Sequence, residues 1–122
     1  MLPKPPSSDA VLTWISAGPI EAFPLDHPKD LKLNLPDGRQ LPLAVVRRVD
    51  RVHVVGGLCP HRGAPLGELG FLDDEGNLVC GWHYWAFRLE DGRQTLLEGV
   101  TIGCWPARVT GGELFIGVAA SA

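Results

Sequence analysis

Apolar and polar residues alternate in short runs along most of this chain, with turn residues between the runs. Leu31, Leu33 and Leu35 alternate with Lys32 and Asn34, and Pro36-Asp37-Gly38 then turns the chain into the apolar run Leu41 to Val46. A period of two is the mark of a strand with one buried face. Asp50-Arg51 separates a strand ending near Arg48 from a second run, Val52 to Val55. Asp91-Gly92 and Gly111-Gly112 lie between further apolar runs, the last being Leu114 to Val118. Asp-Gly and Gly-Gly in such places are strong hairpin signals. No window of a dozen residues keeps apolar positions at helical spacing without a Gly or Pro breaking it. The pattern predicts an all-β fold, a small antiparallel sandwich or barrel-like stack of hairpins.

Composition narrows this picture. A chain of 122 residues has room for one core, and 45% apolar with 20% charged residues excludes a disordered chain. Pro3, Pro5 and Pro6 hold the first residues extended, so residues 1–9 read as a mobile tail and 10–122 as a single domain. The net charge of −3, without a basic cluster, gives no footprint for nucleic acid. The N-terminus MLPKPPSSDA lacks the apolar core of a signal peptide. No uncharged apolar run approaches the roughly 20 residues that span a bilayer. A cytoplasmic protein, monomeric and without a membrane partner, is the expectation. Cys59, Cys80 and Cys104 cannot all pair, and cytosolic chains seldom pair any, so these thiols read as ligands or core fillers.

Two segments stand apart from the hairpin pattern: Cys59-Pro60-His61 and Cys80-Gly81-Trp82-His83. Each follows a strand-like run, Val52 to Val55 before the first and Leu78-Val79 before the second. Residues two apart in an extended segment project to the same side, and a C-x-x-H turn likewise brings its ends together. Two such loops facing each other supply two thiolates and two imidazoles. A single zinc accepts such a set, but zinc sites usually place the cysteines in one knuckle and the histidines in another part of the chain. Here each loop carries one of each. That suits a two-metal cluster in which one iron takes both thiolates and the other both imidazoles.

These segments resemble the cluster loops of the Rieske family. Cys59-Pro-His-Arg-Gly-Ala-Pro-Leu66 looks like the first loop and Leu78-Val-Cys-Gly-Trp-His83 like the second, while Cys104-Trp-Pro-Ala-Arg-Val109 resembles the segment that ends in the family's third, proline-bearing loop. The likeness covers residues 11–119. It implies a sandwich of hairpins with a cluster-binding subdomain inserted at about residues 56–90, and a [2Fe–2S] cluster held by Cys59, His61, Cys80 and His83. One departure is Tyr84, where the family usually has Gly after the second His. A residue with a Cβ is expected to take a different backbone angle there.

The ligand set implied by the family sets the electrochemistry. Two ferric ions, two sulfides and two thiolates sum to zero, and one electron gives −1, whereas a four-cysteine cluster goes from −2 to −3. Neutral imidazoles therefore raise the potential relative to a plant-type ferredoxin. High-potential members of the family have hydroxyl residues two and four positions after the second ligand His, and a disulfide between the loops. Trp85, Phe87, Gly63 and Gly81 stand at the matching places, which implies the low-potential, ferredoxin-like branch. No residues resemble the mononuclear-iron site of a terminal oxygenase, so no substrate chemistry is visible. The implied role is a shuttle of single electrons from a flavin-containing reductase to a terminal oxygenase, the ferredoxin component of an aromatic-ring-hydroxylating dioxygenase system. The alternatives are a small subunit of a larger reductase, as in nitrite reductase relatives, and a structural zinc-binding module.

Other residues read more plainly. His27 and His53 have no matching partners and read as structural; Cys104 reads as a buried apolar thiol. Trp82, Trp85 and Phe87 fit two roles equally, shields of the cluster or ordinary core aromatics. Leu66 resembles the family's apolar cover of the cluster. Asp73, Asp74 and Glu75 read as a solvated hairpin tip. Arg62 is either a docking residue or the partner of a nearby carboxylate.

Overall fold

The computed structural model of the protein describes residues 3–120. Met1 and Leu2 of the expected tail, and Ser121 and Ala122, lie outside the described residues. In chain order the strands are β1 (Leu12–Pro19), β2 (Lys29–Asn34), β3 (Gln40–Arg47) and β4 (Val52–Gly56). A one-turn helix, α1 (Leu66–Leu69), then leads into β5 (Gly70–Leu72), β6 (Leu78–Cys80) and β7 (Ala86–Phe87). The chain closes with β8 (Cys104–Trp105), β9 (Ala107–Thr110) and β10 (Glu113–Ala119). A single 3-10 turn, Ile20–Ala22, comes after β1.

Three antiparallel sheets result, ordered β1-β10-β9, β2-β3-β4-β8 and β5-β6-β7. The first two face each other across a core built from Phe23, Leu33, Leu41, Leu43, Val45, Val54, Trp105, Leu114 and Ile116. The third sheet and α1 cover the opposite side of β3 and β4, around Ala44, Val46, Val55, Leu66, Leu78 and Phe87. Strand β3 is thus buried on both faces. Leu43 and Val45 point into one core, while Ala44 and Val46 point into the other. A strand covered on both sides reads as a continuous apolar run rather than an alternating one, which is why Leu41 to Val46 carries no polar residue.

The turns do what their residues dictate. Gly111-Gly112 makes a two-residue hairpin loop between Thr110 and Glu113, which pair directly. At Asp91-Gly92 the chain also turns, with Gly92 N–H donating to the Arg88 carbonyl at 2.8 Å. The segment returning from that turn is not a strand. It makes only isolated bridges, Phe87 with Gln94 and Arg93 with Thr101. The Asp73 tip joins β5 to β6, and its Oδ1 accepts the Glu75 and Asn77 N–H groups at 2.9 Å each. Of the expected tail, Ala10 N–H donates to the Ser7 carbonyl at 3.1 Å, and Pro5 lies close to Gly103.

Candidate metal centre

The two cysteine loops are copies of one backbone knuckle. In the first, Cys59 N–H donates to the Ala64 carbonyl at 2.8 Å and Gly63 N–H returns to the Cys59 carbonyl at 2.6 Å. In the second, Cys80 N–H donates to the Trp85 carbonyl and Tyr84 N–H to the Cys80 carbonyl, both at 2.8 Å. Gly63 and Tyr84 therefore occupy equivalent corners. Both are left-handed, with φ of 73° and 61°. The expectation of a different angle at Tyr84 is corrected here: the knuckle imposes the glycine angle on a tyrosine. That conformation costs a residue with a Cβ about 1–2 kcal/mol, which the two closing hydrogen bonds offset.

Each loop is also anchored from outside. Leu58 and Pro65 pair across the neck of the first loop, and Leu66 N–H donates to the Gly57 carbonyl at 2.8 Å. Gly81 N–H ties the second loop to the Leu69 carbonyl of α1 at 2.9 Å. Helix α1 is held in turn by Asp30 of β2, whose two carboxylate oxygens accept the Gly67 and Glu68 N–H groups at 2.7 and 2.9 Å. This clamp has no signature in the sequence, because the partners lie far apart along the chain.

The four motif side chains sort into two pairs. Cys59 and Cys80 are 2% and 1% exposed and share the second core with Leu66, while His61 and His83 are exposed. The imidazole centroids stand 4.5 Å apart with their planes at 87°. Burial pushes the Cys59 thiol pKa up, the neighbouring Cys80 pushes the same way, and the His61 and Arg62 backbone N–H groups pull it down. Among the described residues no three His, Cys, Asp or Glu side chains gather around a single point as one ion would require. The donors instead stand thiol beside thiol and imidazole beside imidazole. Such a set fits a [2Fe–2S] group with chemically different irons.

The surrounding residues take definite places. Trp85 stacks on His61, with centroids 4.8 Å apart and planes 25° from parallel. Phe87 is an ordinary core aromatic, fully buried, whereas Trp82 is 51% exposed and belongs to neither core. Leu66 is fully buried in the core that also holds both cysteines. Arg62 is exposed and has no carboxylate partner among the described residues. His27 lies on an exposed loop, and His53 is half-buried in β4 opposite Val46. Cys104 is half-buried in β8, where burial, and then the Asp91 charge, raise its thiol pKa.

Comparison with known proteins decides the family. The model of the Rieske [2Fe–2S] domain matches residues 14–106. The chain belongs to the Rieske family. Its Rieske domain implies a [2Fe–2S] cluster of the Rieske type. The ferredoxin component of the alkene monooxygenase system of Xanthobacter autotrophicus is 30% identical over 98 residues, 80% of each chain. The ferredoxin component of the p-cumate 2,3-dioxygenase system of Pseudomonas putida is 30% identical over 91 residues, 74% of this chain and 75% of that one. Among solved structures, the carbazole 1,9a-dioxygenase ferredoxin of Nocardioides aromaticivorans superposes with a TM-score of 0.71 at 24% identity, covering 85% of this chain and 96% of its own. A putative nitrite reductase small subunit from Mycobacterium tuberculosis gives 0.76 at 26% identity, covering 91% and 99%. No helix among the described residues is long and apolar enough to cross a membrane.

Proposed function

We propose that the protein is a soluble Rieske-type ferredoxin that carries single electrons from a flavin-containing reductase to a terminal oxygenase, an aromatic-ring-hydroxylating dioxygenase. In this reading the Cys59 and Cys80 thiolates hold one iron and the His61 and His83 imidazoles the other. The observation that carries it is the sorting of donors by depth, thiols buried in a core and imidazoles at the surface of the same loop pair. The cluster supplies a one-electron couple whose oxidised form has no net charge. Buried thiolates keep water from the sulfur side. Exposed imidazole edges give the electron its shortest way to a partner.

The rim supports transient protein contact. Leu58, Trp82 and Tyr84 adjoin the motif residues in sequence and are exposed, and Phe71 lies edge-on to Tyr84 with ring centroids 6.4 Å apart. Apolar side chains so placed suit a short-lived interface. The relatives named as ferredoxin components of oxygenase systems support the same assignment. The test is stopped-flow reduction of the holoprotein by an NADH-fed flavin reductase, followed by reoxidation with a dioxygenase α-subunit. Single-electron cycling at catalytic rates is expected; failure with every such pair would overturn the reading.

The likeness to a putative nitrite reductase small subunit favours a second reading, a subunit of a larger reductase. Sizing of the native protein separates the two. A monomer supports the shuttle, and a stable complex with a large flavin- or haem-bearing chain supports the subunit.

A further inference from the structure

His61 sits on an exposed loop, and a side chain there turns freely unless something holds it. Two rings meet it: the His83 imidazole at 87° and the Trp85 indole, nearly parallel. The indole comes from the other loop. Its own backbone is fixed, since the Trp85 carbonyl accepts the Cys80 N–H at 2.8 Å and the next residue, Ala86, pairs with Val79 in the third sheet. Its side chain packs, partly buried, against the second core. A rigid plate thus lies against one face of a ring that is otherwise exposed.

The geometry points to Trp85 as a positioning residue for His61: it sets the plane of that imidazole and closes one face of it to water, locking the first cluster loop to the second. This deepens the proposed ligand assignment and rests on it. The consequence has a sign. Reduction takes the site from no net charge to −1, and both water and the loss of the electron-rich indole face favour the more negative state. Removing the indole therefore raises the reduction potential. Freeing the imidazole plane also changes its overlap with the iron, which the g-values of the reduced protein report.

The test uses holoprotein and four variants, Trp85→Ala, Trp85→Phe, Trp85→Leu and, as a control on the first sheet, the exposed Val109→Ala, each measured by voltammetry and by EPR after reduction. Trp85→Ala is expected to raise the potential and alter the g-anisotropy, Trp85→Phe to stay near the parent, and Val109→Ala to match it. Should Trp85→Ala lose iron, the Phe and Leu variants decide. A parent-like Phe variant with a shifted Leu variant supports the role of a flat ring, and two parent-like variants overturn it. Parent-like Trp85→Ala, or an equal shift in Val109→Ala, also overturns it. Iron and acid-labile sulfide in the parent keep the cases apart: a parent without them sinks the ligand assignment, whereas a loaded parent with indifferent Trp85 variants sinks only this inference.

Discussion

Replacing Asp30 with alanine tests whether the cluster loops are held from β2. The Pro65 side chain gives α1 no cap hydrogen bond, and Asp30 does that work from another strand through two short contacts to Gly67 and Glu68. Losing an N-terminal cap costs about 0.5–2 kcal/mol. A charged acceptor with two donors belongs at the upper end of that range, but Asp30 and Glu68 are exposed and water replaces part of the bond, so about 1–2 kcal/mol is expected. For a domain of this size that lowers the melting temperature by roughly 4–10 °C. Amide exchange localises the effect: the Gly67 and Glu68 N–H groups should exchange roughly 5–30 times faster, while amides of β1 and β10 change only as global stability does. Asp30→Asn keeps one acceptor oxygen and should fall between. A melting temperature within about 1 °C of the parent, with unchanged exchange at both amides, would refute the clamp. Gly67→Ala attacks the same junction sterically, since its Cβ would run into the Asp30 and Lys29 backbone, and it should cost more than the loss of the carboxylate.

Other outcomes come from the same geometry. Gly63→Ala brings a Cβ to φ 73° with no other residue within 4 Å, so a conformational cost of about 1 kcal/mol is expected by chemical denaturation; a neutral result would contradict the left-handed corner. Tyr84→Gly relieves that strain but gives up the Phe71 ring contact and loosens the unfolded chain, so stability should stay within about 1 kcal/mol of the parent. Burial holds the His53 pKa below its ordinary 6.5, with Glu90 opposing this and Arg51 and Arg48 adding to it. The unfolded chain then takes up that proton first as pH falls, so the His53 contribution is complete above about pH 7.5 and is lost on acidification toward its folded value. His53→Gln should flatten the fall in melting temperature as the pH drops through and below the ordinary histidine range, and an unchanged slope would refute the lowered pKa. With Trp85 and Phe87 where hydroxyl donors would stand, voltammetry should place the potential in the lower part of the span from about −150 to +300 mV, and a value near the top would defeat that argument.

The hairpins were legible because they are local. Pro36-Asp37-Gly38, Asp50-Arg51 and Gly111-Gly112 each announce a turn between runs that pair with their neighbours in sequence. The pairing of β1 with β10 was not, since it joins the two ends of the chain and no turn residue marks it. Helix α1 escaped for another reason: four residues are too few to show helical periodicity, and its cap comes from β2. A set of candidate donors, Cys59, His61, Cys80 and His83, was readable from its spacing. Its division into buried thiols and exposed imidazoles was not, because spacing says nothing of depth. Trp85 and Phe87 show the same limit. Two aromatics two positions apart on the second loop read alike, and only packing separates a plate on an imidazole from a core filler.

The central claim is that these loops grip a pair of irons through unlike donors. Its most direct test is iron and acid-labile sulfide analysis of the anaerobically purified protein, with visible spectra of Cys80→Ser and His83→Ala. Two irons and two sulfides per chain are expected in the parent, and neither variant should retain the cluster absorption. Zinc without sulfide in the parent, or full spectra in both variants, would contradict the account.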